Sequence, residues 1–361
     1  MLFHLNTAFS REIGIGLEGW SEQVGVDHPW QFGWWLIRMD LGVKVFFAIS
    51  GFILGLPFLK ALFFGGNNII LKDYLLRRLT RLEPPFILTL VGFYLVHVLV
   101  LGESFGQLLP NFLAGLVYAH VFVFGSPNPI NPVTWSLETE AQFYLILPLI
   151  GYICTKISRK GWVIALFLIL VLASAYFRGY SLDYGLNHLS SSIFAYFINF
   201  GIGIVFAFLY LSFPTFILNG KSLLFDLGGV IAMAGIFVFY KPQSLLINNL
   251  LFNLSVLLLF ISSFKGKWVN WFFTRPWVYL IGGMCYSIYL IHYAFFYLMV
   301  RFSSRVFIGE DYWTNYTLQI MLIFPAVILV SALFFLVVEK PCMDKNWPHQ
   351  LSGFIRKKLI S

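Results

Sequence analysis

Charged residues are scarce in this chain of 361 residues, and their scarcity excludes most soluble folds. Asp, Glu, Lys and Arg make up 11% of the sequence, whereas hydrophobic residues make up 59% and the mean hydropathy is +0.81. A soluble domain covers its surface with charged side chains at roughly a quarter of its positions. Too few are present here, which predicts that lipid is the outer solvent.

Cysteine is also rare, since only Cys154, Cys285 and Cys342 occur. They share no short spacing, which excludes a disulfide framework and a thiolate metal site. We expect them to be packing residues and expect no metal. The opening residues MLFHLNTAFSREIG lack a basic segment followed by an apolar one, so no cleavable signal peptide is predicted.

Runs of about 20 apolar residues are long enough to cross a hydrocarbon core of roughly 30 Å as helices. Nothing in the chain alternates with the period of two that a barrel strand needs, so all spans should be helical. We predict an all-α polytopic membrane bundle with nine transmembrane helices, at residues 41–64, 84–102, 135–155, 161–178, 192–212, 222–240, 245–264, 277–300 and 318–338.

The placement of Lys and Arg indicates the role of a shorter apolar stretch at residues 111–125. If that stretch does not cross, the loops put 16 basic residues on one side of the membrane and six on the other, as the positive-inside rule requires. We therefore expect 111–125 to be re-entrant or interfacial, and the C-terminus to be cytoplasmic in a multi-pass protein of the inner (plasma) membrane. The net charge of +8 then reflects topology, and we expect no nucleic-acid partner.

Nine crossings leave the N-terminus outside, although no span ahead of residue 41 carries it there. We expect that a first helix is missing from the chain as given and that the complete bundle has about ten. The loops are too short for a soluble domain. Residues 1–361 are predicted to form one membrane domain, with an extracytoplasmic or interfacial segment at 1–40 and a basic cytoplasmic tail at 342–361.

Four stretches are more polar or more regularly patterned than membrane spanning requires. The first, GVKVFFAISGFILG at 42–55, contains Ser50, Gly51 and Gly55 in an aromatic-rich helix. Small residues let helices approach closely. We interpret this stretch chiefly as a packing helix and expect Lys44 to snorkel to the outer interface.

The second stretch, KDYLLRRLTRLEPPF at 72–86, enters a span with three arginines in five positions. It is either an ordinary cytoplasmic stop or a binding site. Arg78 and Arg81 fall on one helical face, and guanidinium groups bind phosphates bidentately. We expect the two prolines that follow to break the helix.

The third stretch, NPVTWSLETEAQFYLILP at 131–148, places Glu138 and Glu140 at or just inside the outer membrane edge. Carboxylates there are costly and tend to be functional. A structural interpretation also stands, in which Thr134 or Ser136 caps the helix and the carboxylates favour its N-terminal dipole.

The fourth stretch, GGMCYSIYLIHYAFF at 282–296, places Ser287 and His292 in an otherwise apolar span. His97 and His120 also have apolar surroundings. A membrane histidine therefore does not by itself identify a reacting group, since each can instead bond a carbonyl group of a neighbouring helix.

Taken in order, these stretches resemble the integral membrane acyltransferases called acyltransferase 3, whose members acylate sugars of O-antigens, peptidoglycan, exopolysaccharides and glucans. GVKVFFAISGFILG is similar to the family's GVxxFFxxSGFxx helix, RRLTRLEPP to RRxxRIxP, and WSLETEAQFYLILP to WSLxxExQFYLxxP. YSIYLIHY is similar to YSLYLxH, and VEKP at 338–341 to the closing xExP. The resemblance covers residues 40–341, and its most specific part is WSLxxExQFY.

The resemblance implies an acyl-CoA donor on the cytoplasmic side, usually acetyl-CoA, a carbohydrate hydroxyl as acceptor, and no permanently bound cofactor. It implies that Arg77, Arg78 and Arg81 hold the CoA phosphates. His4 would deprotonate the hydroxyl or carry the acyl group, and Glu140 would orient that imidazole or bind sugar hydroxyls. Other motif residues, with substrate-binding or structural roles, are Trp135, Ser136, Glu138, Tyr144, Tyr286, Ser287 and His292.

The chain departs from the family pattern at its start. Family members usually open with a helix that carries an arginine ahead of the catalytic histidine, whereas only MLFHLN stands there. Further departures are Lys44, where an acidic residue is common, Ala141 after the motif glutamate, and the additional Glu138. We expect the chain beginning at Met1 to be nearly inactive and an upstream-extended form to be active.

Two other functions stay open at this point. One is a transporter or flippase of a glycan or lipid-linked intermediate, although such proteins often contain repeated halves and we find no repeat. The other is an inactive truncated family member that serves as a scaffold. Binding of acetyl-CoA would separate the acyltransferase from the transporter, and turnover would separate it from the scaffold.

Overall fold

The computed structural model describes residues 1–14, 24–240, 246–306, 308–309, 311–344 and 347, and this part of the chain is a bundle of helices without strands. The first nine helices are α1 (Leu2–Glu12), α2 (Phe32–Leu36), α3 (Gly42–Phe63), α4 (Leu71–Leu99), α5 (Phe105–Leu116), α6 (His120–Phe124), α7 (Trp135–Lys156), α8 (Lys160–Asp183) and α9 (Asn187–Ser190). The next nine are α10 (Ile193–Ser212), α11 (Pro214–Leu218), α12 (Leu223–Phe239), α13 (Leu246–Lys265), α14 (Trp268–Phe273), α15 (Pro276–Gly283), α16 (Cys285–Ser303), α17 (Tyr312–Phe334) and α18 (Lys340–Cys342).

The predicted all-α membrane bundle is confirmed. Seven segments of the described residues are long and apolar enough to cross a membrane, namely Phe32–Phe63, Leu71–Leu99, Lys160–Asp183, Asn187–Ser212, Leu246–Lys265, Cys285–Ser303 and Tyr312–Cys342. The other two predicted spans also form helices. Of these, α12 is shorter, with 17 residues, and α7 has a polar first half that contains Glu138 and Glu140.

Helices α3 and α10 pack closely because glycines lie at their contact. A Cβ atom at Gly51 would lie 2.0 Å from the carbonyl oxygen of Phe200, and one at Gly203 would lie 1.9 Å from that of Ala48. Neither position therefore accepts a side chain. The prediction that small residues of α3 serve close packing is confirmed, and this packing fixes the position of Ser50 in the bundle.

Helix α4 corrects two expectations. It begins at Leu71 rather than near residue 84, and it continues through Pro84 and Pro85 without a break. A proline within a helix leaves the carbonyl group four residues earlier without its amide donor. For Pro84 that carbonyl belongs to Thr80, and it accepts a hydrogen bond from the indole Nε1 of Trp347 at 2.9 Å. A replacement donor thus helps the helix to tolerate the first proline.

The predicted span 277–300 is not one helix. It consists of α15 and α16, which are separated at Met284, directly after Gly282 and Gly283. Glycine weakens a helix interior because it loses more backbone freedom than other residues. The break gives α16 its own N-terminus at Cys285, and the backbone amides of that first turn are free to bond other groups.

The stretch at 111–125 also consists of two helices. Helix α5 ends at Leu116 and α6 begins at His120, with Tyr118 between them in the left-handed region at a φ of 55°. Because α5 has 12 residues, it is only about 18 Å long, too short for a hydrocarbon core of roughly 30 Å. The expectation of a segment that does not cross agrees with these lengths.

Helix α1 packs against α16 and α17. Leu5 and Phe9 are fully buried among Phe296, Val300 and Tyr316. The assignment of 1–40 to one side of the membrane stays a prediction, and residues 15–23 of that segment lie outside the described residues. Four basic residues of the predicted tail and one loop lysine also lie outside them, namely Lys345, Arg356, Lys357, Lys358 and Lys241.

Candidate active site

A buried carboxylate, Glu140, lies at the centre of a polar cluster between α3, α4 and α7. Its side chain is 6% exposed, and its Oε1 accepts a hydrogen bond from the Oγ of Ser50 at 2.7 Å. Tyr144, one helical turn further along α7, also forms a hydrogen bond with this carboxylate. A carboxylate at this depth is costly unless it is paired, so its neighbours determine what it does.

Two arginines that interact with Glu140 come from α4. Arg78 and Arg81 both interact electrostatically with its carboxylate, and Arg78 also lies beside the hydroxyl of the buried Tyr74. Tyr74, Arg78 and Arg81 recur at spacings of four and three, which is one face of a helix. Arg77 is exposed and off this face.

The break before α16 forms a second polar cluster. Glu339 is fully buried at the end of a π-helical turn that continues α17. Its Oε2 accepts hydrogen bonds from the backbone amide of Ser287 at 3.0 Å and from the Ser287 hydroxyl. A carboxylate is favourable at a helix N-terminus. Arg81 interacts electrostatically with Glu339 as well as with Glu140, so this arginine links the two clusters.

Two histidines meet beside the second cluster. The rings of His4, on α1, and His292, on α16, have centroids 5.2 Å apart, and Tyr293 lies 5.2 Å from His4. The Nδ1 of His292 contacts the carbonyl oxygens of Ile288 and Tyr289, each at 2.9 Å. A carbonyl only accepts, so Nδ1 donates and Nε2 carries the lone pair in the neutral ring.

The other histidines of apolar stretches have structural partners. His120 contacts the carbonyl oxygen of Ser126 at 3.0 Å and the side chain of Asn111 at 2.8 Å. Burial lowers the pKa of His120. His97 forms an ion-pair contact of 3.1 Å with Glu103 at the turn after α4. Neither histidine lies among the residues around Glu140 and Glu339.

Glu138 does not share the surroundings of Glu140. Its Oε2 accepts a hydrogen bond from the backbone amide of Val121 at 3.0 Å, and it also receives one from the amide of His120. These are the first amides of α6, so Glu138 caps that helix. The alternative that Thr134 or Ser136 caps α7 is wrong, since no side chain does so.

The remaining motif residues have the following neighbours. Trp135 packs on the rings of Phe47 and Tyr196, with centroids 6.2 and 5.2 Å away. Ser136 forms a hydrogen bond of 3.0 Å with the hydroxyl of Tyr289. Tyr286 donates a hydrogen bond of 2.9 Å to the carbonyl oxygen of Leu82, which ties α16 to α4.

A cleft of about 710 Å³ lies between α3, α4 and α7. Tyr144 forms part of its wall, and so does Phe58, whose ring centroid is 5.5 Å from that of Tyr74. Asn68 and Thr155, near the ends of α3 and α7, line it further from Glu140. The cleft therefore runs from Tyr144, a hydrogen-bond partner of Glu140, to residues near one end of the bundle.

Sequence reasoning assigned no role at the site to Ser50, Tyr74 and Glu339. Ser50 belongs to the predicted packing helix, but its hydroxyl also donates a hydrogen bond to Glu140. Tyr74 stands four residues before Arg78, a spacing that predicts a shared helical face. Glu339 ends an apolar span within VEKP, and an intramembrane carboxylate is a signal of function.

Comparison with known proteins places these motifs in a family. A family model described as an acyltransferase domain matches residues 16–336. A protein of Staphylococcus aureus strain COL, named as a candidate O-acetyltransferase, is 25% identical over 90% of this chain and 57% of its own length. The chain thus spans little more than half the length of that relative. The match to the family model begins after His4 and ends before Glu339.

Two further relatives are similar to a shorter part of this chain. A protein of Bacillus subtilis, named as the candidate peptidoglycan O-acetyltransferase YrhL, is 33% identical over 37% of this chain and 23% of its own length. An uncharacterized protein of Haemophilus influenzae is 30% identical over 37% of this chain and 60% of its own length. No solved structure matches. The chain belongs to the acyltransferase 3 family and has a multi-pass membrane fold.

Proposed function

We propose that this protein transfers an acyl group, in the simplest case acetyl, from cytoplasmic acyl-CoA to a hydroxyl of a cell-envelope or exported carbohydrate. The family match and the names of its relatives support O-acyl transfer. The observation that carries the proposal is the buried Glu140 with Arg78 and Arg81 beside it. Arg78 and Arg81 are half-buried, so their guanidinium groups can face Glu140 and still bind an anion that enters from outside the bundle.

Arg78 and Arg81 are the proposed donor site. Guanidinium groups bind phosphate oxygens through paired, charge-assisted hydrogen bonds, and the CoA moiety carries phosphates. Glu140 is proposed to position these arginines through their mutual attraction while Ser50 and Tyr144 hold the carboxylate itself. The cleft beside Tyr144 offers the donor a path from one end of the bundle. Exposed Arg77 would act at its entrance.

The histidine pair is the proposed reacting site. An imidazole nitrogen of His4 would take the proton of the carbohydrate hydroxyl while the hydroxyl oxygen attacks the thioester carbonyl. The C–S bond then breaks, and the proton passes from His4 to the departing CoA thiolate. An acyl-histidine relay uses the same atoms in two steps. His292 stands 5.2 Å from His4, where a neutral second imidazole can accept a hydrogen bond from a substrate.

Donor binding and turnover test the proposal separately. The active form of the protein, purified in lipid nanodiscs, should bind acetyl-CoA and should transfer radiolabelled acetyl to a carbohydrate acceptor. Arg78→Ala should weaken donor binding, whereas Lys72→Ala, an exposed change on the same helix, should not. Donor binding without transfer to any carbohydrate would contradict the reaction. Absence of donor binding from the active membrane fraction would contradict the acyl-CoA donor.

The proposed orientation is also testable. The C-terminus should be cytoplasmic, and the loops near Asn128 and Asn187 should be extracytoplasmic, as the distribution of basic residues requires. A reporter fused after Ser361 should give a cytoplasmic signal, and reporters inserted at the two loops should not. A cytoplasmic signal at Asn187 would mean that the segment containing α5 and α6 crosses the membrane.

A further inference from the structure

A second group of charged and tyrosine side chains lies away from the Glu140 cluster, where four helices end or begin. Its lysine and tyrosines are buried, and its aspartate and arginine are half-buried. It consists of Asp40 and Lys44 at the start of α3, Arg178 near the end of α8, Tyr196 at the start of α10 and Tyr240 directly after α12. We call these five residues the Lys44 cluster. None of them takes part in the proposed donor site or in the histidine pair.

Lys44 does not snorkel to the interface as expected. Its side chain is 6% exposed, and its ammonium lies over the rings of Tyr240 and Phe252, 4.5 and 5.3 Å from their centroids. Within the part of the chain that the structure describes, no hydrogen bond from this ammonium is found. Aromatic faces attract a cation, but they leave its hydrogen-bonding capacity unused.

The carboxylate of Asp40 interacts electrostatically with Lys44 but forms no close ion pair with it. The Oδ2 of Asp40 accepts a hydrogen bond from the Tyr240 hydroxyl at 2.6 Å, and its Oδ1 is buried without a partner. Among the described residues the only ion pair joins His97 and Glu103, so neither Lys44 nor Arg178 contacts Asp40 closely enough to pair with it.

Arg178 adds a further cation. Its guanidinium lies 4.7 Å from the ring centroid of Tyr196, and its Nη1 donates to the carbonyl oxygen of Ser190 at 2.6 Å. Its charge acts on both Lys44 and Asp40. The cluster thus holds two cations and one carboxylate, and Arg38 stacks on Trp34 nearby, 3.8 Å from the ring centroid. Positive charge is in excess.

A buried cation without an ion-pair partner is costly, because removing an ion from water without a partner costs several kcal/mol, and Lys44 is such a cation. Such groups in membrane proteins tend to mark binding sites or pathways. We infer that the Lys44 cluster binds an anionic substituent, a carboxylate or a phosphate, of the carbohydrate acceptor. The inference rests on the proposed function, and it narrows the acceptor to carbohydrates that carry a negative charge.

The position of the cluster suits an acceptor. Ser50, which holds Glu140, follows Lys44 by six residues on α3, a rise of about 9 Å along the helix. Between the two levels lie the rings of Phe47, Trp135 and Tyr196, in mutual contact. Aromatic rings pack on the apolar faces of sugars, and Trp135 is the half-buried ring of the three, so it is the ring that a charged sugar anchored at Lys44 would contact.

Three methyl glycosides provide the test: neutral methyl glucoside, methyl glucuronide with a carboxylate, and methyl glucoside 6-phosphate. Their dissociation constants would be measured on the whole protein in nanodiscs, together with that of acetyl-CoA. We expect at least one charged glycoside to bind about tenfold to a hundredfold more tightly than the neutral one. The preferred charged glycoside identifies the anion as carboxylate or phosphate.

Lys44→Met should remove this preference and leave acetyl-CoA binding intact. The matched control is Lys60→Met, an exposed change on the same helix, which should keep the preference. Equal binding of neutral and charged glycosides by the unaltered protein would overturn the inference, and so would a preference that survives in Lys44→Met. If Lys44→Met fails to fold, the binding of charged and neutral glycosides is compared between Arg178→Gln and the unaltered protein. A preference that is unchanged in Arg178→Gln would then overturn the inference. A charge preference without acetyl-CoA binding would instead contradict the proposed function.

Discussion

Two glutamates on α7 stand two residues apart and have different surroundings. Glu138 is 2% exposed and receives backbone amides of α6, whereas Glu140 is 6% exposed and faces Ser50, Tyr144 and the arginines of α4. Two positions along a helix are separated by about 200° around its axis. The same segment therefore points one carboxylate at a neighbouring backbone and the other at the proposed site of chemistry.

The difference shows why burial alone does not identify a reacting carboxylate. Both glutamates are buried, but the hydrogen bonds of Glu138 come from the first turn of α6, where a carboxylate stabilises a helix. Glu140 instead interacts with the cations Arg78 and Arg81, which are free to contact a ligand. If the Glu140 side of α7 has the chemical role, substitution of Glu140 should reduce activity, whereas substitution of Glu138 should reduce stability.

The largest effect is expected at His4, the proposed base. His4→Ala should reduce the rate of acyl transfer by about 100-fold to 10,000-fold, the usual contribution of a general base. Acetyl-CoA binding should persist, because His4 lies beside His292 and Tyr293 and not beside the arginines of α4. Initial rates in membranes from a strain without the chromosomal gene measure this change.

The same assay on His292→Ala sharpens the comparison between the two histidines. A variant of His4 that keeps a third of the normal rate would exclude His4 from the chemistry. His292, with its Nδ1 bound to backbone carbonyls, would then be the remaining imidazole at this position. A rate lost only in His292→Ala would move the proposed base from α1 to α16.

A smaller effect is expected at the arginines that face Glu140. Arg78→Ala and Arg81→Ala should each weaken acetyl-CoA binding by about 1.5 to 3 kcal/mol, the usual contribution of a hydrogen bond to a charged group, or about tenfold to a hundredfold in dissociation constant. Calorimetric titration of protein in nanodiscs measures it, with Lys72→Ala as the control. Unchanged affinity for acetyl-CoA in both variants would mean that these arginines serve only to fix the cytoplasmic end of the span.

The smallest effect is expected on the other side of α7. Glu138→Ala leaves the amides of Val121 and His120 without their acceptor, which should lower the free energy of unfolding by about 1 to 3 kcal/mol. The exposed Asp183→Ala provides a control for loss of a carboxylate. Thermal unfolding in detergent measures both variants. Equal unfolding temperatures would contradict the capping role of Glu138.

Much of this arrangement follows from local sequence. Hydropathy predicts eight of the nine spans as continuous helices because each must satisfy its backbone hydrogen bonds within lipid, whereas the span at 277–300 divides into α15 and α16. The spacing of Arg78 and Arg81 predicts their shared face. Glycine spacing in α3 predicts close packing, and Gly51 contacts the α10 backbone as expected.

The features that local sequence did not predict depend on partners that are distant in the chain. Pro84 and Pro85 remain inside α4. The carbonyl group of Thr80, which loses its amide donor to Pro84, accepts a hydrogen bond from Trp347, more than 200 residues away in the chain. The partners of Glu138 and of Glu339 likewise come from other helices. Local patterns locate such polar groups but do not specify which distant donor each one meets.

The most direct test of the proposed site is the rate of acetyl transfer in Glu140→Gln beside that in Glu138→Gln. Glutamine keeps a carbonyl oxygen at both positions, so each variant removes charge while leaving an acceptor for the nearby donors. We predict that Glu140→Gln loses transfer activity by at least about tenfold, because Arg78 and Arg81 lose their counter-charge, and that Glu138→Gln keeps more than half of it. Equal rates in the two variants, or the greater loss in Glu138→Gln, would contradict the assignment of the Glu140 side of α7 to the reaction.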